Sequence, residues 1–209
     1  METEKLNQVI SPFLIEGTVS KISPLGNGLI NDTYKIETKE DNFPDYVLQR
    51  VNNEVFTDVD LLQHNIEVVT NHIREKLQKQ GESELDRKVL RFIPTKEGKT
   101  YFKDSDGKYW RISVFIPDAK TYELVDAAHS YDAGKAFGHF QSMLTDVPEQ
   151  LGETIPDFHN MELRMNQLRE AVETNPVGRV AEVQDMLDEL ETHANEMCKA
   201  EQLYRDGKL

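Results

Sequence analysis

The strongest constraint on how this chain can fold is a turn. Gly26-Asn27-Gly28 stands between two runs of alternating polar and apolar residues, 17–22 and 29–38. Asn-Gly in that setting signals a β-hairpin, because both residue types accept the positive φ that a tight turn between twisted strands demands. A hairpin commits this end of the chain to an antiparallel sheet. The returning strand opens with Asn31-Asp32-Thr33, where a core strand is ordinarily apolar. Polar groups there cost free energy unless they bind a ligand or fix the loop. A third strand follows in Tyr46-Val47-Leu48-Gln49-Arg50-Val51-Asn52.

The apolar period then lengthens. Val59, Leu62, Ile66, Val69, Ile73 and Leu77 recur at spacings of three and four, which places them on one stripe of a helix over 58–80. Gly81 ends it. Runs 88–93, 100–102 and 109–116 read as three further strands, the last two joined by the turn sequence Asp104-Ser105-Asp106-Gly107. Ahead of the hairpin, Leu6, Val9 and Ile10 mark a short lead-in helix within 4–14, interrupted near Pro12. The order strand, strand, strand, helix, strand, strand, strand predicts an antiparallel sheet with one inserted helix, an α+β fold.

Beyond Pro117 the pattern turns helical. Residues 124–144 form one helix, with Gly134 and Gly138 spaced for close packing, and 161–174 form another after a loop over 145–160. A last helix runs from Pro176 to about Tyr204 with the stripe Val180, Val183, Leu187, Leu190, Ala194 and Met197. That stripe covers only about three heptads and suits packing within a helical domain better than a coiled coil. Two domains are expected, a β-rich 1–117 and a helical 118–209.

The 209 residues suffice for a sizeable core. A net charge of −14 repels phosphate backbones and anionic lipids, which argues against nucleic-acid and membrane partners. No apolar run approaches the ~18 residues of a membrane span. Met1-Glu2-Thr3-Glu4-Lys5 is too charged for a secretory signal. The single cysteine, Cys198, reads as a half-buried helical thiol. These features point to a cytoplasmic protein. No metal site is expected, because His64, His72, His129, His139, His159 and His193 are scattered and none stands at ligand spacing from cysteine or carboxylate. A Gly-x-Ser-x-Gly elbow is absent.

Four stretches carry candidate chemistry. The glycine turn, with Asn31, Asp32 and Thr33 behind it, suits a cradle in which backbone N–H groups approach nucleotide phosphates; the alternative is an ordinary type I′ turn. Arg50 shares a sheet face with Leu48 by alternation. A charge on a buried face needs a partner, so Arg50 is a candidate phosphate ligand and Leu48 a wall of the adenine pocket. The alternative is an edge-strand salt bridge. Asn65 and Glu67 on the following helix are candidate partners for Arg50. Trp110-Arg111-Ile112-Ser113-Val114-Phe115-Ile116-Pro117 ends where the chain changes character, so Phe115 and Ile116 suit a hinge that hydrogen-bonds a base, and equally a core strand. Asp157, Phe158, His159 and Asn160 suit either a site for a hydroxyl-rich substrate or a surface loop that caps a helix.

Taken together, Gly26-Asn27-Gly28-Leu29-Ile30-Asn31-Asp32-Thr33-Tyr34, Tyr46-Val47-Leu48-Gln49-Arg50-Val51-Asn52, Val55-Phe56, Trp110-Arg111, Ala136-Phe137-Gly138-His139-Phe140-Gln141 and Glu153-Thr154-Ile155-Pro156-Asp157-Phe158-His159-Asn160 resemble the aminoglycoside phosphotransferase/choline kinase-like superfamily. Within it the likeness is to the N-acetylhexosamine 1-kinases, and it runs over nearly the whole chain. The resemblance implies a kinase-like N-lobe at 1–117 and an all-helical first part of the substrate lobe at 118–209. It implies ATP and Mg²⁺ as cofactors. The γ-phosphoryl group would pass to the anomeric hydroxyl of an N-acetylhexosamine while an Asp base accepts the proton. On this reading Gly26, Asn27, Gly28, Asn31, Asp32, Thr33, Leu48, Arg50, Phe115 and Ile116 bind ATP. Arg50 stands where many of these kinases carry lysine, and arginine pairs phosphate bidentately.

One part of the family pattern is missing. Members carry a His-x-Asp core followed by Asn, then an acidic metal-binding motif on a strand. No histidine here has Asp two residues on, and no strand-like segment follows Tyr204. The expectation is an N-terminal portion that grips ATP without catalysing transfer, with the base and metal ligands beyond Leu209. Its expected partners are a nucleotide and a sugar, with homodimerisation through the apolar surface that truncation exposes. Choline, an aminoglycoside or an amino-acid alcohol are alternative acceptors. A free-standing nucleotide-binding pseudokinase module is the alternative of a different class.

Overall fold

Among the described residues five strands make one sheet: β1 (Val19–Pro24), β2 (Asp32–Thr38), β3 (Tyr46–Val51), β4 (Phe102–Lys103) and β5 (Tyr109–Val114). Their order is β1-β2-β3-β5-β4 and every pairing is antiparallel. The helices are α1 (Glu2–Ile10), α2 (Val59–Lys79), α3 (Leu85–Lys88), α4 (Ala127–Met143), α5 (Met161–Thr174), α6 (Gln184–Met197) and α7 (Lys199–Arg205). The fold is α+β, with an antiparallel sheet and several helices. The structure is a computed structural model that describes residues 2–26, 28–122 and 124–208. The chain divides into two compact units, Met1–Thr154 and Ile155–Leu209.

Register sets the core of the first unit. Leu48 lies opposite Tyr34 on β2 and Ile112 on β5, and Arg50 lies opposite Asp32 and Trp110. Strand side chains alternate between faces, so Tyr46, Leu48, Ile36, Trp110, Ile112 and Val114 share one face. Leu6, Val9 and Ile10 of α1, with Phe13 and Ile93, cover that face and complete the core. A helix as short as α1 is marginal alone, and burying its apolar stripe on the sheet is what holds it. Tyr46 extends the arrangement beyond the core, since its hydroxyl donates to the Glu16 carbonyl at 3.2 Å and accepts from the Glu16 N–H at 3.0 Å.

Helix α2 begins at Asp58, whose carboxylate accepts from the Leu61 N–H at 2.8 Å. Its last turns bury Leu77 with Val89 and Met143, flanked by Ile73 and Leu85. The end of α4 and the loop after it run along α2. Lys76 Nζ donates to the Met143 carbonyl at 2.9 Å and pairs with Asp146, and His72 Nε2 lies 3.1 Å from both acceptors. Asn65 exchanges two hydrogen bonds with the Gly152 backbone, at 2.7 and 3.2 Å. These bonds tie α4 to the unit that holds the sheet. Tyr131, Phe137 and Phe140 of α4 are nonetheless exposed, and nothing described lies within 4 Å of a Cβ placed at Gly134 or Gly138, so the close packing suggested by those glycines is not seen.

In the second unit Met165, Ala194 and Cys198 are buried together. Arg169 clamps Glu191 at 2.7 and 2.8 Å, joining α5 to α6. The thiol is therefore more deeply buried than its sequence position suggested.

Two expectations change. The strand expected over 88–93 is not formed: Lys88 closes α3, and the edge of β5 is shared. β4 takes Tyr109 and Trp110, while residues 91–93 reach β5 through Ile93 N–H to Ile112 O at 2.8 Å and Val114 N–H to Arg91 O at 3.0 Å. The last helix is also broken. Asn175 at φ +36° and Gly178 at φ +69° turn the chain after α5, and a 3-10 turn over Val180–Val183 precedes α6.

Two outcomes follow from these contacts. Leu48→Ala removes a fully buried side chain from the middle of the core, and urea denaturation should show a loss of about 2–5 kcal/mol with an unchanged slope. Trp110, the one tryptophan, donates through Nε1 to Asp104 at 2.8 Å. Burial pushes the Asp104 carboxyl up, but the bond from Trp110 and the amides of Lys108 and Asp106 outweigh it and hold the pKa below its ordinary value. A depressed carboxylate stabilises the fold above its unfolded pKa of about 4, and that contribution fades as pH falls through the folded value. Asp104→Asn should lower the urea midpoint at pH 7, read by Trp110 fluorescence, and the gap from the parent chain should narrow as pH falls below about 4.

Candidate functional site

The face of the sheet opposite α1 is built from the second set of alternating side chains. Thr33, Gln49 and Arg111 occupy one rung across β2, β3 and β5, and Lys35, Val47 and Ser113 occupy the next. The first rung is hydrogen-bonded throughout. Gln49 Nε2 donates to Thr33 Oγ1 at 3.3 Å, and Arg111 donates from Nε and Nη2 to Gln49 Oε1 at 2.9 and 2.5 Å. The Phe92 ring lies 5.5 Å from the guanidinium carbon. Val47, Gln49, Phe92 and Arg111, with Leu90, Ser113, Phe115 and Ile116, line a cleft of about 390 Å³.

Arg111 is the unusual member. Among the described residues no carboxylate pairs with it, and burial alone lowers its guanidinium to about 10. Its Nη1 is buried without a hydrogen-bond partner. Among the described residues the other buried side-chain atoms in that condition are the two amide atoms of Gln63, which is neutral. A buried cation without a counter-charge is costly, and here it borders an open cleft.

The segment leaving β5 is fixed beside it. Phe115 N–H donates to the Asp45 carbonyl at 2.9 Å, and Lys35 Nζ lies 4.5 Å over the Phe115 ring and 2.8 Å from the Asp45 carboxylate. Burial raises the Asp45 pKa, while Lys35 and the Thr38 N–H outweigh it and keep this carboxyl ionised below its usual range.

The sequence-predicted residues separate onto different surfaces. Thr33, Phe115 and Ile116 belong to the open face. Leu48, Asp32 and Arg50 belong to the α1 face, so Leu48 lies in the sealed core and does not line the cleft. Arg50 pairs with Asp32 at 2.5 Å, directly across the ladder, rather than with Asn65 or Glu67. Asn65 is taken up by Gly152, and Glu67 accepts from the Thr100 hydroxyl. The physical reason is register: adjacent antiparallel residues on one face meet without spanning a helix.

In the glycine turn, Gly26 adopts φ +72°, and a Cβ at Gly28 would come within 2.9 Å of the Asn31 carbonyl. Asn27 lies outside the described residues. Asn31 Oδ1 accepts from the Asn52 N–H at 2.9 Å, which ties the loop to the end of β3. Of the two roles available to these polar residues, fixing the loop is the one the bonds of Asn31 serve.

Asp157, Phe158, His159 and Asn160 stand in the second unit at the start of α5. Asn160 caps the helix by accepting from the Leu163 N–H at 3.0 Å, and its Nδ2 donates to Asp157 Oδ1 at 2.9 Å. Arg164 donates to the Asp157 and Phe158 carbonyls at 3.1 and 3.3 Å. The group forms a helix cap.

Gln49 and Arg111 were not singled out as site residues by sequence reasoning. The signal was present: Arg111 stands between Trp110 and Ile112 on a strand rich in apolar residues. Among the described residues no group of three or more His, Cys, Asp or Glu side chains could hold a metal ion, and no helix is long and apolar enough to cross a membrane. The chain matches no protein-family model.

The turn can be tested through its glycines. Gly28→Ala should destabilise the fold by about 1–3 kcal/mol, because the new methyl meets the backbone carbonyl of Asn31, whose side chain is tied to the Asn52 N–H. Gly26→Ala, which meets nothing, should cost only about 1 kcal/mol for its positive φ. Equal costs in urea denaturation would show that crowding at Gly28 plays no part.

Proposed function

We propose that this chain is the nucleotide-binding portion of an ATP-dependent phosphotransferase, a sugar kinase acting on the anomeric hydroxyl of an N-acetylhexosamine. The observation that supports it is the open-face cleft, where apolar walls adjoin a guanidinium that lacks a carboxylate. An adenine ring needs a largely apolar slot with few polar contacts, and its phosphates need cationic donors. Val47, Phe92 and Ile116 supply the first and Arg111 the second. Since the Phe115 N–H is engaged by Asp45, hydrogen bonding to a base falls to the backbone of Ile116.

ATP fits this donor set. Mg²⁺ in such sites is held by one or two carboxylates together with the nucleotide's own phosphates, and among the described residues no group of three or more His, Cys, Asp or Glu side chains is assembled. The His-x-Asp base of the resembled family is also not among the 209 residues. Phosphoryl transfer relies on positioning and on neutralising charge around the γ-phosphate, and these residues provide for positioning the nucleotide only. The sugar acceptor rests on the sequence resemblance.

Isothermal titration with ATP should give saturable binding with a dissociation constant between about 1 μM and 1 mM. Incubation with ATP and N-acetylglucosamine, N-acetylgalactosamine, choline or kanamycin should give no phosphorylated product. Absence of ATP binding at millimolar concentration would sink the nucleotide reading. Turnover would show that a base and metal ligands are present after all.

A further inference from the structure

Protein kinases hold nucleotide phosphate with a lysine on their third strand. In this sheet β3 turns Arg50 to the α1 face, where Asp32 neutralises it at 2.5 Å, and shows the neutral Gln49 to the cleft. The cation on the cleft side stands one strand over, at Arg111, directly opposite Gln49. We infer that Arg111 is the phosphate-binding cation of this cleft and that Gln49 is the residue that positions it. The phosphate-binding step stands on geometry alone. That the phosphate belongs to a nucleotide rests on the function proposed above.

The hydrogen-bond inventory supports the assignment. A guanidinium has five N–H donors and no acceptor. Two nitrogens of Arg111 are spent on one neutral amide oxygen, and Nη1 has no partner. Gln49 can hold the plane of the group but cannot neutralise it. The amide is itself oriented by Nε2, which donates to Thr33, so Oε1 is left for Arg111. An anion that reaches this rung meets a guanidinium already largely desolvated and held in plane by Gln49, and restores the missing counter-charge. The lowered guanidinium pKa of about 10 reports the same lack of a counter-charge.

The test uses inorganic tripolyphosphate, ATP and adenosine as separate titrants, with circular dichroism and melting curves as fold controls. The parent chain should bind tripolyphosphate and ATP. Arg111→Met should weaken both about 10- to 100-fold, the range for loss of a charge-assisted hydrogen bond, and leave adenosine unchanged. Gln49→Glu puts a carboxylate beside the guanidinium, and it should weaken both anions comparably while the melting temperature holds or rises. Arg50→Met should change anion affinity less than about twofold, since a partly exposed pair contributes little. If Arg111→Met fails to fold, Gln49→Glu and Arg50→Met decide, because both keep the buried cation. Unchanged tripolyphosphate affinity in Gln49→Glu, or a large loss in Arg50→Met, would overturn the assignment and leave nucleotide binding standing. Tripolyphosphate binding that depends on Arg111, without any adenosine binding, would uphold the assignment and overturn the nucleotide reading. No tripolyphosphate binding by the parent chain would overturn the assignment outright.

Discussion

The pairing of β3 with β2 on one side and β5 on the other is the constraint on which the site depends. A strand has two faces, and a register shift of one residue exchanges them. With Leu48 opposite Ile112, the apolar set faces α1 and the set Thr33, Gln49 and Arg111 shares the other face, where Gln49 and Arg111 line the cleft. The same register puts Asp32 beside Arg50 and so neutralises that cation. One backbone alignment thus seals the core, silences one arginine and leaves another without a counter-charge.

Arg111 is tolerated because its neighbours meet part of its demand. Gln49 accepts from two of its nitrogens and Phe92 lies against the guanidinium. Neither removes the cost of an uncompensated buried charge. In a chain of net charge −14, with 38 acidic residues, the lack of a carboxylate at this one position is not a shortage of carboxylates. Lys35 on the next rung has Asp45, and Arg74 and Arg91 share Asp86.

Much of the fold was legible. The alternation around the glycine turn, the three-four stripe from Val59 to Leu77 and the helical run after Pro117 each reflect a local period, and local periods survive folding. The failures were also local in origin. Residues 88–93 have strand composition, but β5 offered them only part of an edge. The run from Pro176 to Tyr204 has a helical stripe, but Asn175 and Gly178 turn the chain before it can start. Phe115 and Ile116, singled out for their position at the end of the last strand, line the open-face cleft, with the Phe115 N–H already engaged by Asp45. Leu48 and Arg50 were misjudged because alternation says which residues share a face, not which face the rest of the chain will cover.

The sequence by itself determined the hairpin, the α+β class, the position of the inserted helix and the absence of a His-x-Asp motif, since each depends on spacing along the chain. Tertiary structure alone decided that α1 covers the face bearing Leu48, that Arg50 meets Asp32, and that Arg111 borders the cleft with one nitrogen unsatisfied. Those outcomes depend on which strands become neighbours and which face is buried. Residues as far apart as Gln49 and Arg111 acquire a shared chemistry only when the sheet sets them opposite one another.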